Sequence, residues 1–277
     1  MEGVGNGVKK LVNYSKEHLR YLARNKRKRI GILCSQLGIL IAFLALWEIL
    51  GAVGAINTLI MSSPSKILAT IGDLYQSGTL FYHLGITLYE TVLGFAIATI
   101  LGCFIAILLW WSETLRKILD PYIVVLNSLP KIALGPIIII WFGAGIQSIV
   151  VICVLITIII VIISMLNAFR ECDKDKILLM TSMGANKFQI LTKLILPHSL
   201  PQFVSVLKIS VGMSWVGSII GEYLVSSAGL GYLIVYGSQV FKLDLVMAST
   251  LILCVLASLM YLAVALVEKF VNKKRGL

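Results

Sequence analysis

The chain has 277 residues, 58% of them hydrophobic and 13% charged, with a mean hydropathy of +0.95, against roughly 25% charged in an average soluble domain. It carries more apolar surface than one core of this length can hide, so a water-soluble globule is excluded and a bilayer must solvate most of it. The net charge of +11 would suggest a nucleic-acid partner on a soluble chain, but here Lys and Arg lie mainly between apolar blocks, where they set membrane orientation.

A helix crossing about 30 Å of hydrocarbon needs about 20 apolar residues. The first such block, about 30–50, follows the basic run Arg24, Lys26, Arg27, Lys28, Arg29 and reads as an uncleaved first helix. The small residues Gly51 to Ala55 allow a signal-peptide alternative, but the basic region is too long and the apolar stretch too full-length for it. A second block, about 87–111, carries one charge, Glu90. From Ile132 to Phe169 no charged residue occurs, and Trp141-Phe142-Gly143-Ala144-Gly145 divides that stretch into spans of about 121–142 and 146–169 joined by a glycine turn. Blocks at about 203–225 and 245–267 bring the count to six. The expected fold is all-α, with a membrane domain over 30–270, a basic N-terminal arm over 1–29 and a short tail over 271–277.

With both termini in the cytoplasm, twenty Lys and Arg fall in cytoplasmic segments and two, Lys66 and Lys242, fall outside. That asymmetry sets the orientation. Lys131 and Lys208 remain within spans. On the outer side, Ser62-Ser63-Pro64-Ser65 supplies a serine cap and a first-turn proline, and Ile67, Leu68, Ile71 and Leu74 follow at helical spacing, so a short helix covering the bundle is expected there. The glycine-bearing loop over 226–243 reads as a turn and partial helix on the same side.

The cytoplasmic connection over 170–201 is far longer than a linker needs to be. Lys174 to Met183 forms one short helix, Gly184 interrupts it, Ala185 to Leu196 continues helically, and Pro197 and Pro201 break the chain before the fifth span. Ile177, Leu178 and Met180 form an apolar stripe in view of water. Such a stripe either docks into a partner's groove or packs on the protein's own spans.

Within the spans, Pro130, Gly135 and Pro136 interrupt the third helix and free backbone carbonyls that neighbours or a water-filled path must satisfy. Lys131 sits at that break, either paired within the bundle or forming an electropositive element of a path. The glycines Gly212, Gly217 and Gly221 suit close helix packing. The cysteines Cys34, Cys103, Cys153, Cys172 and Cys254 are scattered singly, and His83 and His198 lie at membrane boundaries without a second ligand at metal spacing, so no metal site is read. His198, between the two prolines, reads as a helix cap. No nucleophile elbow or HExxH run supports an intramembrane enzyme, and no GxxxxGK[ST] loop is present to bind ATP.

Gly184, then Leu194 ten residues later and Leu196-Pro197, resembles the second half of the EAA loop of ABC importer permeases. Ser63-Pro64-Ser65, Gly94-Phe95, Pro130-Lys131 with Ala133 and Pro136, Trp141-Phe142-Gly143, Gly221-Glu222 and Gly229-Leu230-Gly231-Tyr232 are similar to the nitrate/sulfonate/taurine branch of that superfamily. The likeness runs from about Trp47 to Phe270. Leu178, Leu179 and Met180 stand where the family has Glu-Ala-Ala, so any docking is more apolar, and Glu90 stands near the outer mouth where the branch tends to have Arg.

The resemblance implies a type I ABC importer permease with six spans and a cytoplasmic coupling helix, in a bacterial inner membrane. It implies no cofactor in this chain, with ATP and Mg on a partner ATPase dimer, a second permease copy, and an extracytoplasmic binding protein. Ile177, Leu178, Met180, Met183, Gly184, Ala185, Leu196 and Pro197 would then serve coupling, while Lys131, Met213, Trp215 and Glu222 would line the path. A small oxyanion or sulfonate leads as cargo, with a thiamine precursor or other small heterocycle second, and Glu90 shifts the balance toward the second without reversing the order. A gradient-driven carrier is the alternative of another class; it would show a matching pair of broken helices in the two halves, and only the third span carries a clear break.

Overall fold

The computed structural model describes residues 16–225 and 227–275, so parts of the expected arm and tail, and Ser226, lie outside the described residues. Among those described, every regular element is helical. In chain order they are α1 (Lys16–Ala52), α2 (Thr58–Met61), α3 (Pro64–Gln76), α4 (Thr79–Trp111), α5 (Glu113–Ser128), α6 (Gly135–Phe142), α7 (Ile146–Arg170), α8 (Lys174–Ser182), α9 (Lys187–Ile190), α10 (Leu196–Val225), α11 (Leu230–Gln239) and α12 (Leu243–Arg275).

The described residues up to Thr58 form one unit and those from Leu59 onward another. The first contains α1, whose stretch Ile30–Ala52 is long and apolar enough to cross a membrane. In the second, Thr79–Trp111, Ile146–Arg170, the continuous helical run Lys187–Val225 and Leu243–Lys269 also qualify, and the bent pair α5 with 131–142 completes a sixth span if taken as one.

The bundle is built around α7, which packs along both α4 and α10. Small residues permit that approach. A Cβ on Gly217 would stand 2.6 Å from the Cα of Cys153, and one on Gly94 would stand 2.8 Å from its Cβ, so α7 is pinched at Cys153 between glycines of two neighbours. Apolar side chains fill the rest in three clusters. Ala106, Val161, Met165, Phe169, Ile195 and Val206 belong to the one where α4 and α7 end. Val211, Trp215, Leu230, Leu233 and Leu253 join α10 to α11 and α12. Ile138, Ile152 and Ile156 join α6 to α7. Ser63 caps α3 with Pro64 in its first turn, and α3 packs on α12 and α4 as the covering helix expected.

Two expectations about prolines are corrected. α5 begins at Glu113, capped by Ser112, which accepts from Leu115 N at 3.2 Å, and it carries Pro121 in its interior rather than starting there. Nor do Pro197 and Pro201 break the chain: residues 191–195 form a π-helical turn, and α10 runs on from Leu196 through both prolines. Pro197 enters right after the widened turn, and a bilayer helix tolerates one interior proline where neighbouring groups satisfy the carbonyl it frees. His198 therefore lies inside a helix and is exposed, so it caps nothing.

Candidate functional site

The chain breaks at residues 129–130, where α5 and the segment 131–142 meet at 88°. Leu129 is extended, as a residue before proline favours, Pro130 leads into a 3₁₀ turn over Lys131–Leu134, and Pro136 opens α6 in a first-turn position where no helical N–H is needed. Lys131 Nζ donates to the carbonyl of Asn127 at 3.2 Å, so this half-buried ammonium satisfies one of the orphan acceptors at the end of α5.

The three other residues expected along a path point to three different places. Met213 is half-buried against the cluster joining α6 to α7. Trp215 is buried among Val211, Leu230 and Leu233, and its Nε1 has no hydrogen-bond partner among the described residues. Glu222 is 1% exposed and turned toward the start of α11. The structure does not gather Lys131, Met213, Trp215 and Glu222 around one cavity.

Glu222 belongs instead to a buried polar constellation. The first N–H groups of a helix have no partner within it. At α11 they are taken by side chains from two other helices. Gly229 N donates to His83 Nδ1 at 3.0 Å, Leu230 N to Thr87 Oγ1 at 2.8 Å, and Gly231 N and Tyr232 N to Glu222 Oε2 at 2.5 and 3.4 Å. His83 and Thr87 lie one turn apart on α4, and Glu222 lies near the end of α10. One turn deeper, Thr91 and Ser218 join α4 to α10 directly through hydroxyls 2.7 Å apart. Only a residue without Cβ fits at the cap, because Gly229 has φ +110° and a Cβ on Gly231 would stand 2.8 Å from the Cβ of Glu222. The His83 ring stacks on Tyr232, with centroids 6.0 Å apart, and Tyr232 stacks on Tyr236 at 5.9 Å.

Glu90 faces Glu222 from α4 and is 1% exposed. Glu90 therefore does not open onto the outer mouth: helical spacing puts it on the same inward face as Thr87, Thr91 and Gly94, all of them buried. Sequence reasoning noticed His83 only as a metal candidate and passed over Thr87. The partners of both lie more than 140 residues along the chain. The one local signal was a glycine-flanked helix start with no capping side chain of its own.

At the other end of α4 and α7 lies the loop over 170–201. Asp173 caps α8 by accepting from Asp175 N at 2.9 Å. The helix closes at Gly184, φ +81°, with Gly184 N bonded to Thr181 O at 2.9 Å and Ala185 N to Met180 O at 3.0 Å, the glycine-terminated end that left-handed backbone permits. Asn186 and Gln189 then form a reciprocal capping box that starts α9. Lys187 reaches back to the Trp111 carbonyl at the end of α4 and lies over the Trp110 and Trp111 rings.

The apolar stripe is corrected in detail. Ile177 and Met180, three residues apart, turn inward and pack on the α4–α7 cluster together with Ala185 and Leu196. Leu178, Leu179, Met183 and Phe188 face outward, Met183 with 79% of its surface exposed. Leu196 and Pro197 line a cavity of about 350 Å³ with Cys103, Ile107, Phe169 and Phe203, away from that outward face.

These features define a polytopic helical membrane protein with one end closed by polar contacts and a helical loop presenting apolar side chains at the other. Residues 98–275 match the family described as binding-protein-dependent transport system inner membrane component. The chain is 31% identical over 233 residues to the putative aliphatic sulfonates transport permease protein SsuC of Bacillus subtilis, covering 84% of each chain. It is 26% identical to the taurine transport system permease protein TauC of Escherichia coli, over 87% of this chain and 89% of that one. A chain of the MetNI methionine ABC transporter in inward-facing conformations has the same fold, with a TM-score of 0.63 at 20% identity over 71% of this chain and 97% of that one. The protein belongs to the binding-protein-dependent transport system inner membrane components, as a permease subunit of an ABC importer in the nitrate/sulfonate/taurine branch.

Proposed function

We propose that this chain, as one of two identical copies, forms the path of an importer whose cytoplasmic ATPase dimer grips α8 and whose cargo is a small sulfonate or related oxyanion handed over by an outer binding protein. The outward row of Leu178, Leu179, Met183 and Phe188 carries the coupling part of this reading. Large apolar side chains on a short helix beyond the bilayer favour burial in a partner's groove. With Leu178, Leu179 and Met180 at the Glu-Ala-Ala positions, the grip is apolar rather than ionic. The basic segments adjoining this loop support a cytoplasmic placement for it and for both termini. ATP and Mg reside on the ATPase.

Likeness to the sulfonate and taurine permeases supports the cargo class. A second reading, a thiamine precursor, draws on 33% identity over 62% of this chain to the formylaminopyrimidine transport permease protein ThiX of Halalkalibacterium halodurans. Glu90 weighs less between them than its place near the outer mouth implies, because it is buried facing Glu222. The test is uptake into proteoliposomes holding this permease, its ATPase and its binding protein. ATP-dependent accumulation of a labelled alkanesulfonate is expected. Accumulation of formylaminopyrimidine alone would move the assignment to the second cargo, and uptake without ATPase would remove the coupling assignment.

A further inference from the structure

The start of α11 has four backbone donors and no capping side chain of its own, and every one of the four is satisfied by a neighbour. Two acceptors come from α4 and the third from α10, so this short helix bridges the ends of two long ones. We propose that His83, Thr87 and Glu222 are positioning residues of a brake: through the N-terminus of α11 they hold the outer ends of α4 and α10 together, and the loaded binding protein must release this hold before transport proceeds.

The chemistry gives such a contact two stable conditions. A buried N–H without an acceptor is costly, so parting α4 from α10 while α11 stays in place orphans donors on one side or the other. Partial opening is therefore worse than either full engagement or full release with water replacing the side chains. The Thr91–Ser218 hydroxyl pair, one turn deeper, extends the same seam. The His83–Tyr232–Tyr236 stack adds a rigid column along α11, so release moves the helix as a body and does not fray it.

The proposal rests on the orientation read above, with α11 on the side of the binding protein, but not on the cargo. The measurement is ATP hydrolysis by the reconstituted complex with and without binding protein, beside hydrogen exchange of amides 230–232. Thr87→Val keeps the shape and removes the acceptor, and Thr87→Ser keeps the acceptor. The expected result for Thr87→Val is a three- to tenfold rise in hydrolysis without binding protein, a smaller stimulation when loaded binding protein is added, and faster exchange at Leu230; Thr87→Ser behaves as the native protein. Glu222→Gln, which keeps one acceptor oxygen, shifts hydrolysis the same way to a smaller extent. A merely structural contact would lower the yield of assembled complex without changing hydrolysis per complex. Native hydrolysis and native stimulation in assembled Thr87→Val complex would overturn the brake, while loss of all ATPase binding would strike the coupling assignment of α8 instead.

Discussion

The two ends of the helical unit over residues 59–277 solve the problem of exposed chemistry in opposite ways. Where α4 begins and α10 finishes, polar groups dominate and are consumed internally, with backbone donors of α11 meeting a histidine, a threonine and a glutamate. Where α4 and α7 finish, the polar needs of the chain are also met locally, by the Asp173 cap, the Gly184 turn and the Asn186–Gln189 box. What is left over there is apolar: Leu178, Leu179, Met183 and Phe188. At the first end every backbone donor of the α11 start is met, while Glu90 Oε2 and Glu222 Oε1 stay buried without a hydrogen-bond partner among the described residues. The second leaves four large apolar side chains in the open, and the proposed ATPase grip rests on that exposure, because water is a poor neighbour for them.

Placing charge on the open end should have the largest effect. Leu179→Glu with Met183→Glu is expected to reduce ATP-driven uptake at least tenfold while leaving folded protein in the membrane unchanged; unaltered uptake would show that the apolar face is not gripped. The opposite pattern is expected at the waist, where Gly217→Val forces a branched side chain onto the Cα of Cys153. Overpacking of this kind costs about 1–3 kcal/mol. It should appear as a lower melting temperature in detergent, and an unchanged melting temperature would mean that α7 and α10 have room to part.

Smaller effects separate the two ends further. Thr91→Val removes the hydroxyl pair across the seam while Ser218 keeps its bond to the Trp215 carbonyl, at a cost of about 0.5–1.5 kcal/mol. Pairing it with Ser218→Ala should recover part of that loss, and strict additivity in the double-variant cycle would show that the hydroxyls do not interact. Gln189→Ala removes half of the capping box, a local loss of about 0.5–1 kcal/mol. Hydrogen exchange should quicken in α9 and nowhere near α11; a change at both ends would mean that the two regions are not independent.

The long apolar elements were legible because their signal is local. A charge-free block of bilayer length announces a helix wherever it lies, and α4, α7 and α12 each contain the span expected of them. The start of α8, its glycine end and the covering helix α3 were legible for a similar reason, since caps and first-turn prolines act within three or four residues. The face presented by α8 was less so. Ile177 and Leu178 are adjacent in sequence and opposite in space, and which of them meets the bundle depends on where α4 and α7 end. The prolines of α10 misled because the π-helical turn that precedes them has no short-range signature. The constellation around Glu222 was beyond local reading altogether. His83 and Thr87 are ordinary residues on an apolar helix until a glycine loop some 140 residues later brings its bare donors against them.

The borrowed capping of α11 bears on how permeases of this build exchange parts. The stretch over 227–240 cannot be lifted out as a cassette, because the acceptors that finish its first turn come from two other helices, the opening turns of α4 and the closing turns of α10. A chimera that imports this loop from a relative must import those turns with it, or the graft will arrive with its end unsealed.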